Sequence, residues 1–236
     1  TLSPEAKKTI KAYYYGLVSF QDAQIGRLLD DLRARGLEEN TVVVYTADHG
    51  DMLGDFGLYF KEIFYNGSVR IPMMISLPGT IPGGVKTDSP AGLQDLLPTL
   101  LAMTGEPLQA EVDGRSLLPA IFEGRDVRKY YVSQCHDHPK QQYMVADREW
   151  KYIYHQDGGI EELYNMREDP CELVNLADGR GGKSGITGPM RDYLIDWCRE
   201  IGDLTMLDGD SLAAGPQRQY FKRNPPDVKL FGRRYY

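Results

Sequence analysis

The sequence predicts an α/β layer, a mostly parallel sheet flanked by helices, followed by a small α+β subdomain in which one helix packs on an antiparallel sheet. A long amphipathic stretch leads into Thr41 to Ala47, which is β-branched and apolar on both faces, as a central strand covered by helices requires. Ile71 to Leu77 repeats that pattern after a loop. Further on, the short aromatic runs Tyr130 to Val132, Tyr143 to Val145 and Tyr152 to Tyr154 have near period-two spacing and read as antiparallel strands.

Ser3-Pro4-Glu5 supplies an N-cap, a first-position proline and a first-turn acid, so a helix begins there. Ile10, Tyr14, Leu17, Ile25, Leu28 and Leu32 give it one apolar face, predicted to be buried, until Gly36 ends it. Ser76 to Gly84, rich in Pro and Gly, reads as a surface excursion. Asp95 is expected to cap a helix carrying Leu96, Leu97, Leu100, Leu101 and Met103, and Gly105 closes it. Asp113-Gly114 reads as a turn, and a short helical turn runs to Phe122. Asp178 to Gly188 is Gly-rich and expected to be mobile. Thr187-Gly188-Pro189 is predicted to start a helix with Met190, Tyr193, Leu194, Trp197 and Ile201 on one face. From Gly215 the tail lacks a core pattern, and its aromatic end, Tyr220 to Tyr236, is a candidate intersubunit arm. The expected domains are 1–125, 126–214 and a tail, 215–236.

A chain of 236 residues that is 42% hydrophobic can bury a sizeable core. Its net charge of -7 argues against a nucleic-acid-binding face, which needs clustered Lys and Arg. No run approaches the roughly 20 apolar residues of a membrane span. Three cysteines, Cys135, Cys171 and Cys198, are too few and too scattered for a disulfide framework or a thiolate zinc site, and read as reduced structural thiols.

Chemistry is concentrated after the first buried strand, at Asp48-His49-Gly50. The carboxyl edge of an open α/β sheet is where ligands bind, and an Asp and a His there can hold one cation. The same tripeptide also fits an Asp capping the next turn beside a His bonded to a backbone carbonyl. Taken alone, Lys61 reads as a solvated surface lysine, and Arg70 as either a brace for an acid such as Asp48 or a structural ion pair.

The continuation is more specific: Asp51-Met52-Leu53-Gly54-Asp55-Phe56-Gly57-Leu58-Tyr59-Phe60-Lys61, then Tyr65-Asn66-Gly67-Ser68-Val69-Arg70-Ile71-Pro72. With Asp95 to Leu100, Asp113 to Pro119, Lys151 to Tyr154, Glu162 to Asn165 and Asp169-Pro170, in that order, it resembles the type I sulfatases of the alkaline phosphatase superfamily, as the C-terminal portion of one. The resemblance implies the C-terminal part of an alkaline-phosphatase-like sheet, calcium ligands at Asp48 and His49, and a catalytic, sulfate-binding cation at Lys61. It also implies a possible substrate contact from the C-terminal subdomain at His138; an exposed polar loop is the alternative for His136 to His138.

Two departures stand out. Phe56 occupies a position where many relatives carry His, and no cysteine here lies in the Cys/Ser-x-Pro/Ala-x-Arg motif that yields the formylglycine nucleophile. The paired Asp residues that complete the calcium shell are also missing, so this chain alone is expected to be inactive and to bind calcium weakly. The expected partners are a sulfate-ester small molecule or carbohydrate, the N-terminal half of the same protein, and a second copy in a homo-oligomer. The alternatives are a phosphonate monoester or phosphodiester hydrolase of the same superfamily, or a non-catalytic scaffold.

Overall fold

The computed structural model describes residues 2–136, 140–177 and 184–216. These divide into two compact units, one of residues 2–61 and 67–85 and one of residues 62–66 and 86–216. No helix among the described residues is long and apolar enough to cross a membrane. Most of the expected tail, from residue 217 of 215–236, together with Asp137 to His138 and most of the Gly-rich stretch, 178–183, lies outside the described residues.

In the first unit, α1 (Pro4–Ala34) starts as its cap signal predicts, with the Ser3 hydroxyl accepting the Ala6 N–H at 3.2 Å. Its apolar face is not buried: no residue of α1 is, and Leu17 and Leu28 are 68% and 67% exposed. Helical spacing specifies a face suited to burial without supplying the element that covers it. β1 (Val43–Thr46) and, after the single-turn α2 (Asn66–Val69), β2 (Met73–Ser76) form a two-stranded sheet. The strands pair antiparallel, Val43 opposite Ser76 and Thr46 opposite Met73, where a parallel relation was expected. Apolar residues on both faces mark an interior strand but not its direction. A parallel pair also needs a crossover, usually a full helix, and the connection here holds only short turns.

The second unit contains α3 (Leu96–Thr104), α4 (Leu118–Phe122), a meander of β3 (Tyr131–Cys135), β4 (Gln142–Ala146), β5 (Trp150–His155) and β6 (Ile160–Asn165), then α5 (Ser184–Ile201) and the small hairpin β7 (Leu207–Asp208) and β8 (Ser211–Leu212). The three aromatic runs fall in or beside β3, β4 and β5, and β6 adds a fourth strand. Tyr143 and Val145 of β4, Trp150, Tyr152 and Tyr154 of β5 and Leu163 of β6 form one face, on which Met190, Leu194 and Cys198 of α5 pack at four-residue spacing. α5 starts three residues before the expected Thr187, leaving Pro189 inside the helix. There it removes only the bond to residue 185, near the helix end. Tyr193 and Ile201, expected on the covered face, are 37% and 47% exposed.

Asp95 departs from its expected role as a simple cap of α3, making no side-chain bond to that helix. It is fully buried and accepts two hydrogen bonds from Arg128 at 2.5 Å, one from Gly92 N–H at 2.9 Å and one from Arg115 N–H at 2.8 Å. Its carboxylate holds the Arg128 guanidinium above its ordinary pKa. Asp95→Ala leaves that nearly buried cation uncompensated, and should cost about 3–5 kcal/mol in urea denaturation. An unchanged midpoint would mean the pair contributes nothing.

Glu161 on β6 accepts from Arg191 of α5 at 2.5 and 2.6 Å and from the Tyr152 hydroxyl at 2.6 Å. Burial alone raises its pKa, but these bonds outweigh burial and the net shift is downward. A depressed carboxylate contributes stability that is full above its unfolded pKa, about 4.3, and lost as pH falls through the lower folded value. Arg191→Met leaves burial unopposed by the guanidinium, so acid unfolding followed by circular dichroism should begin at higher pH in the variant. Coincident acid transitions would contradict this.

Candidate active site

Asp48-His49-Gly50 follows β1 after Ala47, and backbone bonds shape the loop beyond it. Gly50 N–H donates to Ser68 O at 2.6 Å, Met52 N–H to Phe60 O at 3.1 Å and Gly54 N–H to Leu58 O at 2.6 Å. The middle bond folds the loop back on itself and sets Phe60, the residue before Lys61, opposite Met52. Asp51 holds the turn by accepting Leu53 N–H at 2.7 Å. Gly50 is required for close approach: a Cβ there would lie 2.2 Å from Gly67 O. Leu53, Phe56 and Glu62 adopt left-handed backbone at φ 47, 54 and 24. Such conformations cost roughly 1–3 kcal/mol each for ordinary residues and persist only where the surroundings hold them.

The Asp48 side chain is 80% exposed and that of His49 40%. The His49 N–H, donated to Asp48 Oδ1 at 2.9 Å, holds the Asp48 carboxyl below its ordinary range, and the fields of the His49 ring and Lys61 act in the same direction. His49 Nδ1 lies 2.8 Å from Gly50 O. A carbonyl only accepts, so Nδ1 carries the hydrogen. Nε2 then faces Asp48 Oδ2 at 3.3 Å, an arrangement suited to a proton or a cation at that point. The two donors fit one corner of a cation site. No group of three or more His, Cys, Asp or Glu residues suited to a metal occurs among the described residues.

Lys61 and Arg70 are exposed, and Phe56 is half-buried. His138 lies outside the described residues, while the ring Nε2 of His136 sits 3.1 Å from Glu62 O in the second unit. His155 Nε2 lies 3.3 Å from Glu162 Oε1, without hydrogen-bonding geometry. Cys198 is fully buried, and burial, with the charge of Asp203 second, pushes its thiol up to about 12, which suits an inert structural cysteine. Sequence pattern gave no chemical role to Lys151 or Glu172, which form a buried ion pair at 2.8 Å. The available signal was a lysine near the start of an aromatic strand and an acid two residues beyond Asp169-Pro170.

Residues 3–106 match the family described as Sulfatase. A choline-sulfatase of Rhizobium meliloti is 36% identical over 177 residues, covering 72% of this chain and 33% of that protein. An arylsulfatase of Clostridium perfringens is 34% identical over 198 residues, 82% of this chain and 40% of that protein. Among solved structures, a protein in complex with its substrate D-glucosamine-2-N,6-O-disulfate matches with a TM-score of 0.71 at 29% identity, over 80% of this chain and 40% of that chain. The phosphonate monoester hydrolase of Agrobacterium radiobacter matches with a TM-score of 0.70 at 26% identity, over 84% and 43%. The fold is thus that of the alkaline-phosphatase-like hydrolases. Within that class the chain belongs to the sulfatase family, and it spans 33% and 40% of the length of the two curated relatives above.

The close approach at Gly50 has a direct test. Gly50→Ala must displace the Gly67 backbone, and overpacking of this kind should cost about 1–3 kcal/mol in thermal unfolding. A thermal midpoint equal to that of the wild type would show that the two segments do not pack as described.

Proposed function

We propose that this chain supplies part of the active site of a sulfatase that hydrolyses sulfate esters, with Asp48 and His49 as calcium ligands and Lys61 as the catalytic, sulfate-binding cation. The observation that supports this most is the fold-back of the 48–61 loop through the Met52–Phe60 bond, which brings the residue before Lys61 back to the segment that follows Asp48 and His49. Asp48, exposed and held ionised by the His49 N–H, offers oxygen to a hard cation, and His49 offers one nitrogen. Calcium takes six to eight ligands, so most of the shell is assigned to residues outside this sequence. The nucleophile, a formylglycine in the sulfatases this chain resembles, is assigned there too. Calcium, when bound, supplies positive charge to the non-bridging sulfate oxygens. Lys61 acts from its own position: its ammonium donates hydrogen bonds to the same group and favours the charge that develops as the ester bond breaks.

The proposed substrates are sulfate esters of small molecules or carbohydrates, and the proposed partners are the N-terminal half of the same protein and a second copy of it. A second reading, a phosphonate monoester hydrolase, is favoured by the likeness to the Agrobacterium enzyme. In the full-length protein, Lys61→Ala should lower kcat/KM for an aryl sulfate about 10²- to 10³-fold with an unchanged circular dichroism spectrum. A loss below about threefold would remove Lys61 from the mechanism, because one transition-state donor is worth far more than that. Faster turnover of a phosphonate monoester than of the matched sulfate ester would favour the second reading.

A further inference from the structure

Between Lys61 and Ser68, whose carbonyl accepts from Gly50, the chain runs through a strap, Glu62–Asn66, that packs within the second unit. Ile63, Phe64 and Tyr65 are 8%, 3% and 7% exposed. Their neighbourhood is polar at one point. Lys151 Nζ donates to Phe64 O at 3.1 Å, to Asn66 Oδ1 at 2.6 Å and to Glu172 Oε1 at 2.8 Å. Those are all three donors of an ammonium, and two of them go to the strap. Glu172 completes the ring by accepting Asn66 N–H at 2.7 Å, while Asn66 Nδ2 donates to Pro170 O at 3.1 Å and the Tyr65 hydroxyl to Glu162 Oε2 at 2.9 Å.

A buried ion pair gives little net stability compared with a well-packed apolar pair, so geometry is the better account of this one. The geometry it imposes concerns the strap. Glu62, at φ 24, is the residue at which the chain leaves Lys61, and a glutamate keeps that backbone only when both sides of it are held. We infer that Lys151 and Glu172, acting through Asn66 with Tyr65 as a second anchor, are positioning residues for Lys61. They fix the strap to which Lys61 is peptide-bonded, and so the point from which its ammonium reaches an anion. This inference rests on the reading of Lys61 as the sulfate-binding cation.

The test is a double-mutant cycle in the full-length protein, read as kcat/KM for an aryl sulfate and as the inhibition constant of inorganic sulfate. Asn66→Ala removes two side-chain bonds and leaves the ion pair in place. It should lower kcat/KM about 10- to 100-fold, the scale of an ångström-sized misplacement, and weaken inhibition by sulfate. In a Lys61→Ala background the same substitution should have no further effect, since the two act through one group. Tyr65→Phe, which keeps the buried ring, provides the same readout if Asn66→Ala fails to fold. Equal losses in both backgrounds would show a merely structural clamp and overturn the inference, as would a variant with wild-type kinetics. If Lys61→Ala alone is without effect, the reading beneath the inference fails, and the inference with it, whatever Asn66 does.

Discussion

The sheet β3 to β6 is covered on both faces, and its second face is closed by a segment that belongs in sequence to a distant loop. α5 covers the first face with Met190, Leu194 and Cys198. On the other face lie Met144, Ile153 and Tyr164, and the two residues there that carry charge, Lys151 and Glu162, are the ones that bond to the strap. Enclosing an ammonium in such a place is tolerable only when each of its donors has a partner. Lys151 meets that condition because Phe64, Asn66 and Glu172 converge on it. The long-range bonds that Asn66 makes with Lys151, Glu172 and Pro170, and that Tyr65 makes with Glu162, therefore tie the strap to the sheet and to the segment after it.

Elements that depend on local chemistry were legible in the sequence. The Ser3 cap, the first-turn proline and the strand spacing of the tyrosines act over a few residues, and the structure has them where the pattern indicates. Properties that depend on distant partners were not. β1 and β2 read as interior strands, but their relative direction is set by the connection between them. Asp95 looks like an N-cap because it sits where caps sit; only Arg128, 33 residues later, reveals it as one half of a buried ion pair. β6 carries Glu161 and Glu162 in its first half, charges that weaken any strand signal until Arg191, Tyr65 and Tyr164 are seen to pair with them.

The candidate site divides along the same line. Asp48, His49 and Lys61 are singled out by a motif, and their assignment as a cation site and an anion site is a proposal. The motif does not show how the loop holds them. Gly50 reads as a turn residue, yet its need is for contact with the Gly67 backbone, and the left-handed Leu53, Phe56 and Glu62 carry residue types that give no warning of such backbone. Strain of that kind is invisible to composition because the surrounding packing, and not the residue itself, sustains it.

The aromatic face beneath α5 sets a boundary on the alkaline side. Tyr143, Tyr152 and Tyr154 each have hydroxyls whose ionisation is opposed first by burial, and for Tyr143 and Tyr152 also by a hydrogen bond to a carboxylate; Tyr154 is pushed up to about 12 and the other two higher. An unfolded tyrosine releases its proton near pH 10, so above that pH the unfolded chain is favoured by every proton the folded core retains. The feature that packs the subdomain at neutral pH thus makes it sensitive to base. Ultraviolet titration would see these rings ionise late, and together with the loss of the sheet.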